Sequence, residues 1–309
     1  LTSTEAASLA ERYPYVNQVH RFPIRELRTD KGYLRDVAKI ILRLRRQEFG
    51  AILNLYRVTS LTGAVKMGAL FSLLRADRKI GHDRYGFGRF LTDRLPADTF
   101  TKRHCADAML EIALRAGGAA DEKGIEVFWD KGVAAAWEGF FSPLAGRLIV
   151  GINPGGDREN RRWAPERFAA VAGELIGRFN AAIVLLGGAA EQEIASRIES
   201  RIPSAVFNLA GKTVLQELPY IMSRLDLLIT NDSGPMHIAA ATKTPLVALF
   251  GPENPALFGP YAAPAAYRVI QKHVSCRPCA GKPCAHVACL DLISPDDVLA
   301  KSLEMLNAQ

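Results

Sequence analysis

The chain alternates short, mostly apolar blocks with longer stretches in which apolar residues return every three or four positions. The short blocks fall at residues 51–55, 148–152, 181–186, 206–209, 227–230 and 245–250, and they predict strands buried on both faces. The longer stretches, at 34–44, 61–74, 104–116, 165–176, 191–202 and 215–223, predict helices. Residues 3–12 read as a further helix that Tyr13-Pro14-Tyr15 breaks before a short strand at 16–22, and 78–82 reads as another strand end. Ser294-Pro295-Asp296-Asp297 caps a last helix to residue 306, expected to cross back toward the first half. Strands and helices alternating with short loops imply an α/β fold, a parallel sheet covered on both faces with ligands beyond the carboxyl ends of its strands.

The segment from Asp226 to Gly251 carries the clearest chemistry. A buried strand at 227–230 runs into the turn Asn231-Asp232-Ser233-Gly234, and Pro235 suits the first turn of a helix that Asp232 or Ser233 can cap. Ala239-Ala240-Ala241 lets that helix lie close to the sheet, and 245–250 returns as the next strand. Such a βαβ unit points free N–H groups and the positive end of a helix dipole at one loop, which suits an anion such as phosphate.

The pattern restarts at Gly146, and 309 residues exceed one ordinary core, so we expect two Rossmann-like domains, 1–145 and 146–309. At 49% hydrophobic and 23% charged residues the composition is that of a globular protein, and no apolar run reaches the roughly 20 residues a membrane span needs. The chain starts at Leu1 inside a helical pattern and shows no secretory signal; we expect its first strand and helix to lie upstream and its location to be cytoplasmic.

Charge is uneven. Residues 1–145 hold 23 Lys and Arg against 17 Asp and Glu, a net +6 out of the chain's +7, so the first half faces the more anionic partner. Basic tracts interleaved with aromatics are missing, which argues against nucleic acid and for a phosphorylated acceptor or an anionic membrane surface. The basic amphipathic helix at 34–44 is foremost a core helix with a solvated face, and in second place a lipid-binding one. With ligands expected at the loops leaving the strands' carboxyl ends, Arg57, Lys66, Arg103 and His104 are candidates for an anionic acceptor, weighed against plain surface charge.

In the second half, Asn153-Pro154-Gly155-Gly156 follows a strand and permits close backbone approach to a ligand. The G-x-G-x-x-G fingerprint is missing, which counts against a dinucleotide redox cofactor. Cys276, Cys279, Cys284 and Cys289, with His286 between them, are spaced C-x2-C-x4-C-x4-C, feasible for tetrahedral zinc, although reduced packed thiols are the preferred reading and no metal or cofactor is expected.

Taken together, N-P-G-G at 153–156, R-R-W at 161–163, G-G-A-A-E-Q-E at 187–193, L-A-G-K-T at 209–213, T-N-D-S-G-P-M-H at 230–237 and L-F-G-P-E-N-P at 249–255 resemble glycosyltransferase family nine, the ADP-heptose:lipopolysaccharide heptosyltransferases. The resemblance implies a GT-B arrangement, two Rossmann-like domains facing a cleft, with acceptor on the first and nucleotide-sugar on the second. It implies inverting, metal-independent transfer of heptose from ADP-heptose to the phosphorylated lipopolysaccharide inner core, at the cytoplasmic face of the inner membrane with peripheral contact to it. By the same resemblance the donor contacts Asn153, Gly155 and Thr213, with Arg161 on the diphosphate where the family usually has Lys. Glu193, or alternatively Glu191, takes the ribose hydroxyls, Asp232 the sugar hydroxyls, and the backbone of Ser233, Gly234, Pro235, Met236 and His237 the phosphates.

The family's N-terminal G-x-x-G-D loop, whose Asp is the expected catalytic base, has no counterpart in this sequence. No catalytic residue is therefore assigned, and a chain complete as it stands is expected to bind donor weakly and transfer nothing. That makes an inactive nucleotide-sugar binding module the alternative reading, with a sugar-nucleotide epimerase of the same fold as a third.

Overall fold

The computed structural model describes residues 1–23, 30–96, 103–120, 124–202, 204–277, 279, 284 and 287–308. The chain divides into two compact units, Leu1–Glu11 with Tyr15–Lys123, and Arg12–Pro14 with Gly124–Gln309. The division thus falls upstream of the 145/146 junction that the hydrophobic pattern suggests.

The first unit contains β1 (Thr2–Ser3), α1 (Thr4–Ala10), β2 (Arg21–Phe22), α2 (Leu34–Arg45), β3 (Glu48–Asn54), α3 (Leu61–Leu73), β4 (Arg75–Asp83), β5 (Asp93–Pro96) and α4 (Cys105–Arg115). Strands β3, β4 and β5 form a parallel sheet in that order, while β1 and β2 pair separately. Of the strand expected at 16–22, only Arg21 and Phe22 enter a ladder. Strand β5 escapes the hydrophobic pattern because it is short and charged. Its Asp93 is held by Arg78 at 2.9 Å and Arg115 at 2.9 Å, so the charge is paired rather than stranded at the sheet. Ile80, Leu95 and Ile112 make the small core beneath it.

The second unit contains α5 (Lys131–Phe141), β6 (Ile149–Asn153), α6 (Pro165–Phe179), β7 (Ala182–Leu185), α7 (Gln192–Glu199), β8 (Val206–Asn208), α8 (Leu218–Ser223), β9 (Leu227–Asn231), α9 (Gly234–Ala241), β10 (Leu246–Leu249), α10 (Pro255–Phe258), β11 (Tyr267–Ile270), α11 (Ala288–Asp291) and α12 (Pro295–Leu306). Among the described residues its six strands are all parallel, in the order β11-β10-β9-β6-β7-β8. Numbered within the unit this is 3-2-1-4-5-6 read from β8, the doubly wound order in which the chain reverses direction between the first and fourth strands. Every residue of β6, β7, β9 and β10 is buried, as continuous apolar runs require when helices cover both faces.

On one face Val150, Ile152, Ile183, Leu185, Leu227 and Ile229 meet Phe168, Ala172 and Leu175 of α6. Each large side chain so buried contributes roughly 1.5–3 kcal/mol. The final helix, for which the sequence suggested a return toward the first half, buries Val298, Leu299 and Met305 in this same core. Asp226 starts the β6/β9 ladder by accepting the Ile149 N–H at 2.7 Å through its side chain. Among the described residues no helix is long and apolar enough to cross a membrane.

Candidate functional site

The β6/β9 reversal point pairs Asn153 with Thr230. Asn153 is buried, and its Nδ2 donates to Thr230 Oγ1 at 3.2 Å and to Ser233 Oγ at 3.0 Å, tying the two strand ends together. Ser233 is the residue preceding α9, but its hydroxyl is committed to Asn153 and makes no cap bond. Pro235 is the second residue of the helix and brings no N–H, Met236 donates its N–H to Ser233 O at 3.2 Å and buries its side chain completely, and His237 is half-buried. Exposed Gly234 leads the turn. The expected anion-facing backbone therefore starts from Ser233 and Gly234, because Pro235 has no donor and Met236 has spent its own.

Arg161, Arg162 and Trp163 fan out from the loop after β6. Arg161 Nη1 lies 3.6 Å from Asp232 Oδ2 and 3.4 Å from Asp157 Oδ1, and its Nη2 donates to Glu253 Oε1 on the loop after β10. Arg158 Nη2 donates to that same Glu253 oxygen at 2.8 Å. Arg162 turns the other way, donating from Nε to Gly156 O at 2.8 Å and standing 3.8 Å from Glu191 Oε1. Trp163 is buried, with its ring edge-on to Phe168 at 4.9 Å; its Nε1 donates to Ile293 O at 3.0 Å and its backbone N–H to Asn231 Oδ1 at 3.2 Å. Asn231 in turn donates from Nδ2 to Pro154 O at 2.8 Å and Gly155 O at 3.2 Å, which pins the Asn-Pro-Gly-Gly loop.

The electrostatics follow from this packing. The Asp232 side chain is only 6% exposed, and burial pushes its carboxyl up to about 6 against the opposing pull of Arg161. Its Oδ2 and the Nε of Arg161 are buried and make no hydrogen bond. Burial also raises Glu253, but hydrogen bonds from Arg161 and Arg158 outweigh it and hold that carboxyl below its usual range.

Of the two acidic candidates after β7, Glu191 is the one turned toward the loops. Its Oε2 accepts the Gly188 N–H at 2.9 Å, whereas Glu193 lies exposed on α7. Gly155 permits this approach: a Cβ there would meet Glu191 Cγ at 2.8 Å. Thr213 is half-buried on the loop after β8, which is joined to the β7 loop by Gly211 N to Gly187 O at 2.9 Å.

In the first unit, Arg57 is half-buried after β3 and Lys66 is exposed on α3. Arg103 is exposed, and His104 caps α4 by accepting the Ala106 N–H on Nδ1 at 3.1 Å. Burial pushes the neighbouring Cys105 thiol up, and the Arg57 guanidinium opposes it, so Arg57 and the start of α4 share one locality.

Cys276, Cys279, Cys284 and Cys289 line one cavity of about 20 Å³ with Asn160, Pro252 and Arg277. None of the four is in a disulfide, and among the described residues no three His, Cys, Asp or Glu side chains are grouped to hold a metal. His286 lies outside the described residues.

Sequence reasoning named Arg161 and Asp232 but gave no role to Arg158, Arg162, Asn231 or Glu253. Three of these, Arg162, Asn231 and Glu253, stand inside the motifs R-R-W, T-N-D-S-G and L-F-G-P-E-N-P, so the signal was present, but only folding shows which loop each side chain reaches.

Residues 37–289 match the family profile of glycosyltransferase family 9 (heptosyltransferase). The chain is 32% identical over 177 residues to lipooligosaccharide heptosyltransferase 2 of Campylobacter jejuni, covering 54% of this chain and 55% of that protein. It is 28% identical over 224 residues to lipopolysaccharide core heptosyltransferase OpsX of Haemophilus influenzae, covering 71% of this chain and 61% of that protein. The chain spans about half the length of the curated relatives it matches. In fold it is similar to the glycosyl transferase family 9 structure from Veillonella parvula, with TM-score 0.83, 24% identity, and 99% of this chain and 87% of that chain covered. It is likewise similar to Escherichia coli ADP-heptose heptosyltransferase II, with TM-score 0.72, 23% identity, and 99% and 88% covered. The α/β fold is thus of the GT-B-like kind, and the chain belongs to glycosyltransferase family 9, the heptosyltransferase family.

Proposed function

We propose that the protein transfers heptose from ADP-heptose to the lipopolysaccharide inner core with inversion, and that its second unit holds the donor. The observation that carries this reading is the placing of Arg161 within 3.6 Å of Asp232, beside the turn that opens α9 at the strand reversal point. A diphosphate leaving group needs cations and dipoles aimed at its developing charge. Arg161 supplies the first and the N-terminal turn of α9 the second.

In the proposed reaction the acceptor hydroxyl attacks the anomeric carbon as the bond from that carbon to the phosphate oxygen breaks. The electron pair leaves with ADP, and the hydroxyl proton passes to a base that this chain's assigned residues do not include. Asp232, buried with an Oδ2 that faces Arg161 but makes no hydrogen bond, suits a hydroxyl of the sugar. Glu191, turned toward the Gly155 loop, is favoured over Glu193 for the ribose. Arg57, Lys66, Arg103 and His104 of the first unit are proposed to meet the phosphorylated acceptor, and the net +6 of residues 1–145 would draw the first half of the chain to an anionic membrane surface.

Two assays test this. Calorimetry should rank ADP above UDP and GDP, with little dependence on magnesium, since protein cations neutralise the diphosphate. Mass spectrometry should then detect one added heptose on a phosphorylated inner-core acceptor, offered both without heptose and already carrying one. ADP binding without transfer would leave the inactive binding module, and strong magnesium dependence would refute metal-free stabilisation.

A further inference from the structure

Two guanidiniums converge on one carboxylate oxygen: Arg158 Nη2 and Arg161 Nη2 both donate to Glu253 Oε1. A phosphate oxygen gripped by two arginines would meet the same arrangement, because guanidinium forks match carboxylate and phosphate alike. We propose that Glu253 is an internal stand-in for the donor's diphosphate, that its carboxylate occupies the position of a phosphate oxygen between Arg158 and Arg161, and that donor binding displaces it. The proposal rests on the donor-site reading above and deepens it. It adds Arg158 as a second diphosphate ligand and Glu253 as the residue that sets how tightly anions bind.

Charge balance supports displacement. Asp157, Asp232 and Glu253 face two arginines, so with every group ionised the cluster is already one unit negative. A diphosphate would add at least two more negative charges, which a carboxylate left in place would repel. Asp157 is largely exposed and Asp232 is deeply buried; Glu253 is the carboxylate hydrogen-bonded to both arginines.

Geometry supports it too. The Nε atoms of Arg158 and Arg161 are buried without a hydrogen bond. A diphosphate has more acceptor oxygens than a carboxylate and can reach them. The Glu253 main chain is tethered, its carbonyl accepting Gln271 Nε2 at 2.7 Å, while its partly exposed side chain can rotate toward solvent without moving the loop.

The test is calorimetry with inorganic pyrophosphate, ADP and adenosine on the wild type, E253Q, E253T and R158Q, each first checked for folding by circular dichroism. E253Q and E253T should bind pyrophosphate and ADP about tenfold tighter, and R158Q about tenfold weaker, the size of one charge-assisted hydrogen bond. Adenosine, which carries no phosphate, should bind all four alike, an outcome that a merely structural role for Glu253 does not give. Equal or weaker pyrophosphate binding by both Glu253 variants overturns the proposal, as does an R158Q that binds pyrophosphate like the wild type. If ADP binds no better than pyrophosphate, the nucleotide reading fails, while the pyrophosphate ranking still decides the role of Glu253.

Discussion

The backbone N–H of Trp163 donates to Oδ1 of Asn231 across 3.2 Å, fastening the residue that follows two arginines to the residue that precedes buried Asp232. This bond, with those from Asn231 to Pro154 and Gly155, is what brings Arg161 and Asp232 within reach of one another.

Asn231→Ala should therefore destabilise the fold by about 2–4 kcal/mol. Asn231 is fully buried, and its removal leaves the Trp163 N–H and the Pro154 and Gly155 carbonyls without their partner. Urea unfolding followed by tryptophan fluorescence measures it, and a loss below about 0.5 kcal/mol, the range of ordinary surface substitutions, would show that water replaces the side chain.

Arg161→Ala should weaken ADP binding by about 1.5–3 kcal/mol, the range for a hydrogen bond to a charged group. Unchanged affinity in calorimetry removes Arg161 from the donor site.

Asp232 should make stability depend on pH. Its folded value, about 6, lies above the unfolded value near 3.9, so its contribution is whole below about pH 4 and is lost as pH rises through 6. The loss is about 1–2 kcal/mol after allowance for solvent screening. The melting temperature of Asp232→Asn minus that of the wild type should climb between pH 4 and 7. Glu253, whose lowered value acts in the opposite sense, is present in both proteins, so the difference cancels it to first order. A flat or falling difference refutes the assignment.

The thiols should separate by burial. Cys276 and Cys284 are exposed and Cys289 is buried, with burial raising its thiol further. Titration of the native protein with a disulfide reagent should consume the first two quickly and Cys289 only on unfolding. Fast modification of Cys289, located by peptide mass mapping, contradicts its burial.

Most of the second unit was legible because its central strands are buried on both faces and so read as apolar runs broken only at their carboxyl ends. β5 was not, since Asp93 and Arg94 hide it until Arg78 and Arg115 are seen to pair with Asp93. Helix α5 and strand β11 also escaped the pattern. Ser233 was legible as a helix start, yet its hydroxyl serves Asn153 from a strand 80 residues earlier, a partnership local sequence cannot show. Glu253 was hidden for the same reason: its partners Arg158 and Arg161 come from another loop.

Arg161, Arg162 and Trp163 are consecutive, yet they reach the β10 loop, the β7 loop and the buried core in turn. A single inserted residue there would rotate all three away at once, so length in this stretch should be guarded more strictly than residue identity. Lysine could follow arginine at the first place, but an added glycine between the second and third would dismantle the grip on both neighbours and unseat the indole together.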